Sequence, residues 1–421
     1  MTARKSTRPD ASKSKVAKPE AFRIDVATAE QFIFDGMPKL GSVSVELAAA
    51  SGQVLSEAIS AERDQPPFDR ATMDGIAISA GAIEKDIRQF QIVGIQAAGQ
   101  AAQNLSSATD CYEVMTGAVM PTGTSAVVPV ERIAVSDGCA TLDTDYSATP
   151  DQFVHPRASD HARGDLLLRP GTHINGPAMA ILTAAGSPQV EVAQWPRTAI
   201  VSTGDELVDV GEAIADFQIR SSNDRAIETC LQQRGCNNTI RSRLPDDPAA
   251  LREHIGQLHT DNDVLILSGG VSMGKYDYVP AILDELGVRV IFHKILQRPG
   301  LPMWFGVSQD GKPVFALPGN PVSTIVCCVR YIVPALLRAA GLENDALPIV
   351  QLDSDISFKA DLTWFLPVKI IQTAAGIQRA IPCPTNTSGD FIGLRDSDGF
   401  IELPRGQDHY PAGFAANLYR W

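Results

Sequence analysis

Positive charge is in short supply in this sequence: 36 Lys and Arg face 49 Asp and Glu, for a formal net charge of −13 at pH 7. Such a balance excludes a general nucleic-acid surface or an anionic-membrane surface. Any anionic ligand must therefore meet a local cationic site in an otherwise acidic protein. Cysteine is sparse as well. The seven, Cys111, Cys139, Cys230, Cys236, Cys327, Cys328 and Cys383, are odd in number and scattered without CxxC spacing. That pattern argues against a disulfide framework or a thiolate zinc site and fits reduced thiols in the cytoplasm. No apolar stretch reaches the roughly 18 residues that a membrane span needs, and the N-terminal residues lack the apolar core of a signal peptide. There is no internal repeat. Residues 1–20 have almost nothing to bury and read as a disordered basic tail.

What is present exceeds one ordinary domain. Residues 21–61 are expected to be helical: Thr28-Ala-Glu-Gln-Phe-Ile-Phe34 opens an amphipathic run, and Ser44-Val-Glu-Leu-Ala-Ala-Ala-Ser-Gly52 leads to a glycine stop. From 62 to 154 the texture changes to short Val/Ile runs broken by Gly, Pro and Asp, such as Gln91-Ile-Val-Gly-Ile95 and Ala126-Val-Val-Pro-Val130. This reads as a small β domain. Helical character returns within 155–196, so the β domain is an insertion in a discontinuous helical domain. Residues 197–345 alternate strands and helices at the spacing of a parallel α/β domain. Residues 346–421 return to short strands and form a C-terminal β-barrel or sandwich.

Chemistry-bearing loops sit where the α/β strands should end, which is where open sheets of this kind bind ligands. Thr198-Ala-Ile-Val-Ser202 runs into Thr203-Gly204-Asp205-Glu206, and a strand near Ile240 runs into Leu244-Pro-Asp246-Asp247. Asp263-Val-Leu-Ile-Leu267 runs into Ser268-Gly269-Gly270-Val-Ser272-Met-Gly274, with Asp277 close behind. The last strand runs into Pro318-Gly319-Asn320-Pro-Val-Ser323. Asn320-Pro321 before a long helix offers an N-cap and free N–H groups to an anion, with the Ser323 hydroxyl in the first turn. Ser268-Gly269-Gly270 lets the backbone approach a phosphate closely. Carboxylates at Asp205, Glu206, Asp246 and Asp277 on neighbouring loops are what Mg²⁺ requires beside phosphate. Lys294 and Arg298 supply positive charge; their i, i+4 spacing places both on one side of a strand. A tight βα turn, solvated loop acids and surface strand charges would account for any one of these features alone.

Two further segments, Pro66-Pro-Phe-Asp-Arg-Ala-Thr-Met-Asp74-Gly75 and Met115-Thr116-Gly-Ala118, are conspicuous but unconnected by spacing to that rim. Together with Ser202–Leu207, Ser268–Tyr278 and Leu317–Ser323, they resemble the signatures of the MoeA/gephyrin E-domain family, in the same order. The similarity runs from about residue 21 to 421 and is weakest in the last seventy or so. It implies a molybdopterin-binding α/β domain of MogA type, a discontinuous helical domain with a β insertion, and a C-terminal β-barrel. The implied activity is the transfer of molybdate into adenylyl-molybdopterin with release of AMP. The implied assembly is a homodimer. The resemblance assigns site roles to Asp74, Thr116, Asp160, Glu206, Asp246, Asp277, Lys294 and Arg298, with Ser323 beside the anion. Mg²⁺ is then held by Glu206, Asp246 and Asp277, and a molybdopterin adenylyltransferase and apo-molybdoenzymes are the expected partners. This chain departs from the pattern at Arg298-Pro-Gly-Leu301-Pro, usually Lys-Pro-Gly-Lys-Pro or Lys-Pro-Gly-Leu-Pro. It also departs at Ala158-Ser159-Asp160, usually Gly-Glu-Asp, and at Asp69-Arg-Ala-Thr-Met73, where Asn-Ser-Ala-Met is commoner. An adenylyltransferase-like protein, a non-catalytic scaffold or carrier, and a tungstate-tuned relative remain as alternatives.

Overall fold

The computed structural model describes residues 23–271, 278–342 and 346–421. The expected tail at 1–20 lies outside them, as do two candidate site residues, Ser272 and Asp277. The chain divides into two compact units, one of residues up to 43, 52–56 and 191–421, the other of 44–51 and 57–190.

The first unit is built around a sheet whose strands Thr198–Thr203, Val264–Ser268 and Pro313–Leu317 are buried along their whole length. Strands covered on both faces must be apolar throughout, which is why these runs do not alternate. Ala199, Val201, Leu265 and Leu267 face Leu251 and Ile255 of the helix Pro248–Asp261. Ile200, Ile266 and Phe315 face Ile227, Leu231 and Val326 on the other side. Each fully buried Val, Leu, Ile or Phe among them contributes roughly 1.5–3 kcal/mol. The strand order is Thr239–Leu244, Thr198–Thr203, Val264–Ser268, Pro313–Leu317, Trp304–Val307 and Arg289–His293. The first four are parallel, and Trp304–Val307 pairs antiparallel with both of its neighbours. Their register matters for function. Ser202 lies opposite both Arg243 and Ser268, and Ser268 opposite Leu317, so the loops that follow all leave the sheet at one level.

Behind the last of these loops, a helical run Pro321–Ala339 has a mean hydropathy of 1.6, yet 72% of it is buried inside the protein. It is a core helix. Its Arg330 is 4% exposed and is neutralised by Glu30 at 2.5 Å and Glu402 at 3.1 Å. Farther along the chain, Thr363–Gln372, Gln378–Pro382, Ile349–Leu352, Ala415–Arg420 and Gly399–Leu403 pair in that order. The last pairs back onto the first, which closes a five-stranded barrel. Gln297–Arg298, from the α/β half, joins as an extra strand: Gln297 pairs with Thr363 and Arg298 with Trp364.

The second unit centres on another six-stranded sheet, in the order Ala126–Pro129, Gly75–Ile78, Asp110–Val114, Gln89–Gln96, Cys139–Leu142 and Ile133–Ser136. A two-residue ladder, Arg70–Ala71 against Val154–His155, lies apart from it.

Two expectations need correction. Residues 44–52 are not helical: Ser42–Glu46 is a strand and only Leu47–Ala49 turns, as a 3-10 helix. The alternating Val43 and Val45 favour extended backbone over helix. Among the described residues of 21–61 and 155–196, the α-helices are Val26–Gly36 and Gly176–Ala184. Nor is 294–298 one strand. Arg289–His293 stops, Lys294 takes a left-handed conformation (φ 84°), and a separate strand Gln297–Arg298 follows. A non-glycine residue in that region breaks a β ladder, so the i, i+4 argument that put Lys294 and Arg298 on one face does not apply.

Candidate active site

The level strand ends of the first unit open onto a cavity of about 840 Å³. Its lining includes Ser202, Thr203, Glu206, Asp246, Ser268, Gly269, Gly270, Pro318, Gly319 and Asn320. Ser202 and Thr203 end their strand 2% and 5% exposed, and neither hydroxyl has a hydrogen-bond partner among the described residues. Leaving such a group buried and unmade costs about 1–3 kcal/mol. A polar ligand that met both hydroxyls would recover that cost. Beside them, Gly269 and Gly270 have φ of 97° and 65°. A Cβ on Gly269 would stand 2.7 Å from the Thr203 carbonyl oxygen, so the two loops approach too closely for any side chain there. Gly204 and Asp205 turn away to line a smaller adjoining cavity, while the Asp205 carboxylate accepts the Asp246 N–H at 3.0 Å and ties those loops together.

One residue joins two loops of the rim. The Asn223 side-chain amide donates to Ser268 Oγ at 2.9 Å and to the Gly319 carbonyl at 2.8 Å. Both amide hydrogens are thereby used, and the remaining Oδ1 is buried without a partner among the described residues. Asn320, expected to cap the helix that follows, makes no side-chain cap bond. Its amide instead reaches Ser388 Oγ of the barrel half at 2.8 Å, and the Val322 N–H, one of those expected to be free, donates to the Ser388 carbonyl at 3.0 Å. Ser323 is only 3% exposed and lines neither this cavity nor the next. Arg298 lies in a neighbouring cavity of about 170 Å³, with its guanidinium 5.8 Å above the Phe358 ring and with Thr385 and Ser388 among the lining. Lys294 is half-buried and lines neither cavity.

In the second unit, Asp74 accepts both the Thr116 N–H at 2.6 Å and the Thr116 hydroxyl at 2.7 Å through the same oxygen. Those bonds hold the Asp74 carboxyl below its ordinary range. Asp160 is exposed and meets His155 Nε2 at 3.1 Å.

Comparison with known proteins reads the same way along the whole chain. Sequence models of the MoeA N-terminal region (domain I and II), of a probable molybdopterin binding domain and of the MoeA C-terminal region (domain IV) match residues 24–186, 199–338 and 350–421. The molybdopterin molybdenumtransferase of Synechocystis sp. is 40% identical over 400 residues, which is 94% of this chain and 100% of that protein. The chain belongs to the MoeA family. The Staphylococcus aureus molybdopterin molybdenumtransferase is 28% identical over 401 residues, 94% of this chain and 95% of its own. A solved MoeA protein of Pyrococcus horikoshii superposes with a TM-score of 0.79 at 28% identity, covering 94% of this chain and 99% of that one.

For a MoeA-family chain, the residues that sequence reasoning overlooked are informative. Asn223 belongs to none of the motifs; the Ser221-Ser-Asn223 run, polar where the helix Asn223–Gln232 begins, is the available signal. Phe391 and Gly389, from the barrel half, also line the cavity and carried no motif of their own. Of the three expected acids, Asp277 lies outside the described residues. Among the described residues no three of His, Cys, Asp and Glu cluster as metal ligands. Glu206 and Asp246 do share the cavity, and Mg²⁺ beside substrate phosphate needs only one or two carboxylates, its remaining positions going to water and phosphate. The donor set therefore fits that ion.

Proposed function

We propose that this chain acts as a molybdopterin molybdenumtransferase: it takes molybdate and adenylyl-molybdopterin and yields molybdenum cofactor and AMP. The observation that carries the proposal is the cavity at the level strand ends. Two buried hydroxyls that find no partner among the described residues and a close-packed pair of glycines there form a cradle for a phosphorylated ligand. In it, the Ser202 and Thr203 hydroxyls and the backbone at Gly269 and Gly270 bind phosphate oxygens, and Asn223 Oδ1 accepts from an N–H of the substrate. Glu206 and Asp246 would hold Mg²⁺, joined by Asp277. When bound, that ion would offset negative charge on the phosphoanhydride. Arg298, planar and always charged, is suited to an oxyanion such as molybdate, and Lys294 adds positive charge nearby in sequence. Asp74, Thr116 and Asp160 form the second set of site residues. Fixed donors and charges of this kind act by stabilising charge that develops as the phosphoanhydride breaks. We further propose a cytoplasmic homodimer that receives its substrate from an adenylyltransferase and passes product to apo-molybdoenzymes.

The test is AMP release by the purified chain from adenylyl-molybdopterin, with and without molybdate and Mg²⁺. Molybdate-dependent release, with a product that activates a cofactor-free molybdoenzyme, is the expected result. Tight binding without release would make the chain a carrier or scaffold instead. Formation of adenylyl-molybdopterin from ATP would make it an adenylyltransferase. Competition between molybdate and tungstate in the same assay decides which oxyanion is preferred.

A further inference from the structure

The second unit holds a polar chain that the assigned roles leave unused. Arg70 and His155 are directly opposed in the antiparallel ladder of Arg70–Ala71 with Val154–His155. Arg70 Nη2 lies 3.0 Å from His155 Nδ1, and His155 Nε2 lies 3.1 Å from Asp160 Oδ1. Guanidinium has only donors. His155 Nδ1 must therefore accept, which leaves its single ring proton on Nε2, aimed at the Asp160 carboxylate. A protonated imidazole would turn an N–H toward the guanidinium and lose that bond. The same short ladder anchors the other assigned residues: the Ala71 carbonyl accepts from the Gly117 N–H at 2.9 Å, beside Thr116, and Asp74 follows three positions on. Asp160 itself is fixed at the backbone, where its N–H donates to the Gln65 carbonyl at 2.9 Å. Its side chain, on an exposed loop, meets His155.

We propose that His155 is a positioning residue: locked by Arg70 as the neutral, Nε2-protonated tautomer, it sets the direction of the Asp160 carboxylate. This rests on the assignment of Asp160 to the site. Histidines whose second nitrogen is engaged by a fixed partner are a general means of choosing the tautomer presented at a site.

Two measurements on the full chain test it. In ¹⁵N–¹H correlation spectra at neutral pH, the His155 ring, assigned by its loss in His155→Gln, shows Nε2 protonated and Nδ1 bare. In Arg70→Met the two tautomers mix. A protonated Nδ1 in the wild type, alone or in an imidazolium, overturns the proposal. In the AMP-release assay, His155→Phe lowers kcat about tenfold with little change in KM. His155→Gln, whose amide can still donate to Asp160, recovers most of the loss. If Asp160→Asn is impaired while His155→Phe turns over like wild type, His155 positions nothing and the proposal fails alone. If Asp160→Asn itself keeps wild-type turnover, Asp160 leaves the site and the proposal falls with it.

Discussion

Replacing Gly269 by alanine separates two costs that usually come together. At φ 97° an alanine is disfavoured by about 1–2 kcal/mol from backbone sterics alone. The new Cβ would also stand 2.7 Å from the Thr203 carbonyl oxygen and 3.0 Å from Thr203 Oγ1. Neither the backbone atom nor a hydroxyl on a buried strand can retreat easily, and overpacking of this kind costs typically about 1–3 kcal/mol. Against this, the loss of glycine's freedom in the unfolded chain returns about 0.4–1 kcal/mol. The net expectation for Gly269→Ala is a loss of about 2–4 kcal/mol. Gly341 is the control. It has nearly the same φ, 90°, but among the described residues nothing lies within 4 Å of its would-be Cβ, so Gly341→Ala should lose only about 1 kcal/mol. Urea unfolding followed by circular dichroism compares the two through their midpoints. Gly269→Ala should also weaken substrate binding, because the loop must move away from Thr203 to admit the methyl group, and Gly341→Ala should not. Equal destabilisation by the two substitutions would show that the close approach of the two loops does not exist.

Three other perturbations probe separate features. Arg330→Met leaves Glu402 and Glu30 facing a buried apolar group; unfolding should be easier by about 3 kcal/mol, and a loss below about 1 kcal/mol would mean that the ion pairs contribute little there. Asn223→Ala should keep the fold but raise KM for adenylyl-molybdopterin about tenfold, equivalent to about 1.4 kcal/mol. Asn223→Asp, which sets a carboxylate against the Gly319 carbonyl and the bound phosphate, should raise it further, and wild-type KM in Asn223→Asp would remove this residue from the site. The Thr116 bonds favour ionised Asp74, so their contribution to stability is present above the ordinary carboxylate range near roughly pH 4. It is lost as the pH falls through the depressed value in the folded protein. Thr116→Val removes the hydroxyl donor and should move the Asp74 titration, followed by carboxyl NMR, back toward the ordinary range; an unmoved titration would assign the shift to the Thr116 N–H alone.

What the sequence made legible was the part of the site that depends on strand ends. Thr198-Ala-Ile-Val-Ser202 and Asp263-Val-Leu-Ile-Leu267 announce buried parallel strands because Ala199–Val201 and Val264–Leu267 are apolar throughout, and pairing Thr198 with Val264 sets Ser202 beside Ser268. Residues whose role depends on another part of the chain were illegible. Asn223 works through Ser268 and Gly319, 45 and 96 residues away, and nothing local in Asn223 indicates those partners. Lys294 misled because its spacing from Arg298 suits a strand only if the backbone between them is extended, and a left-handed turn is not visible in a lysine. Ser44–Gly52 misled because a run of alanines has high helix propensity, which the extended pairing of its flanks overrides. Asn320 combined the right residue with the right position for a cap, yet Ser388 outcompeted the backbone for its side chain.

The extra strand Gln297–Arg298 has a consequence for how the C-terminal barrel should be regarded. The backbone of Gln297 and Arg298 finds its ladder partners at Thr363 and Trp364, and the helix start at Asn320 and Val322 finds its partner at Ser388. The barrel is therefore a wall of the pocket and not an appendage to it. An ancestral or engineered α/β domain lacking those strands would present the same motifs letter for letter, with the arginine unmoored and the helix start bare. Motif content alone would then overstate its kinship in function. The boundary between two recognisable modules therefore runs through the lining of the cavity, where Gly389 and Phe391 meet the α/β strand ends.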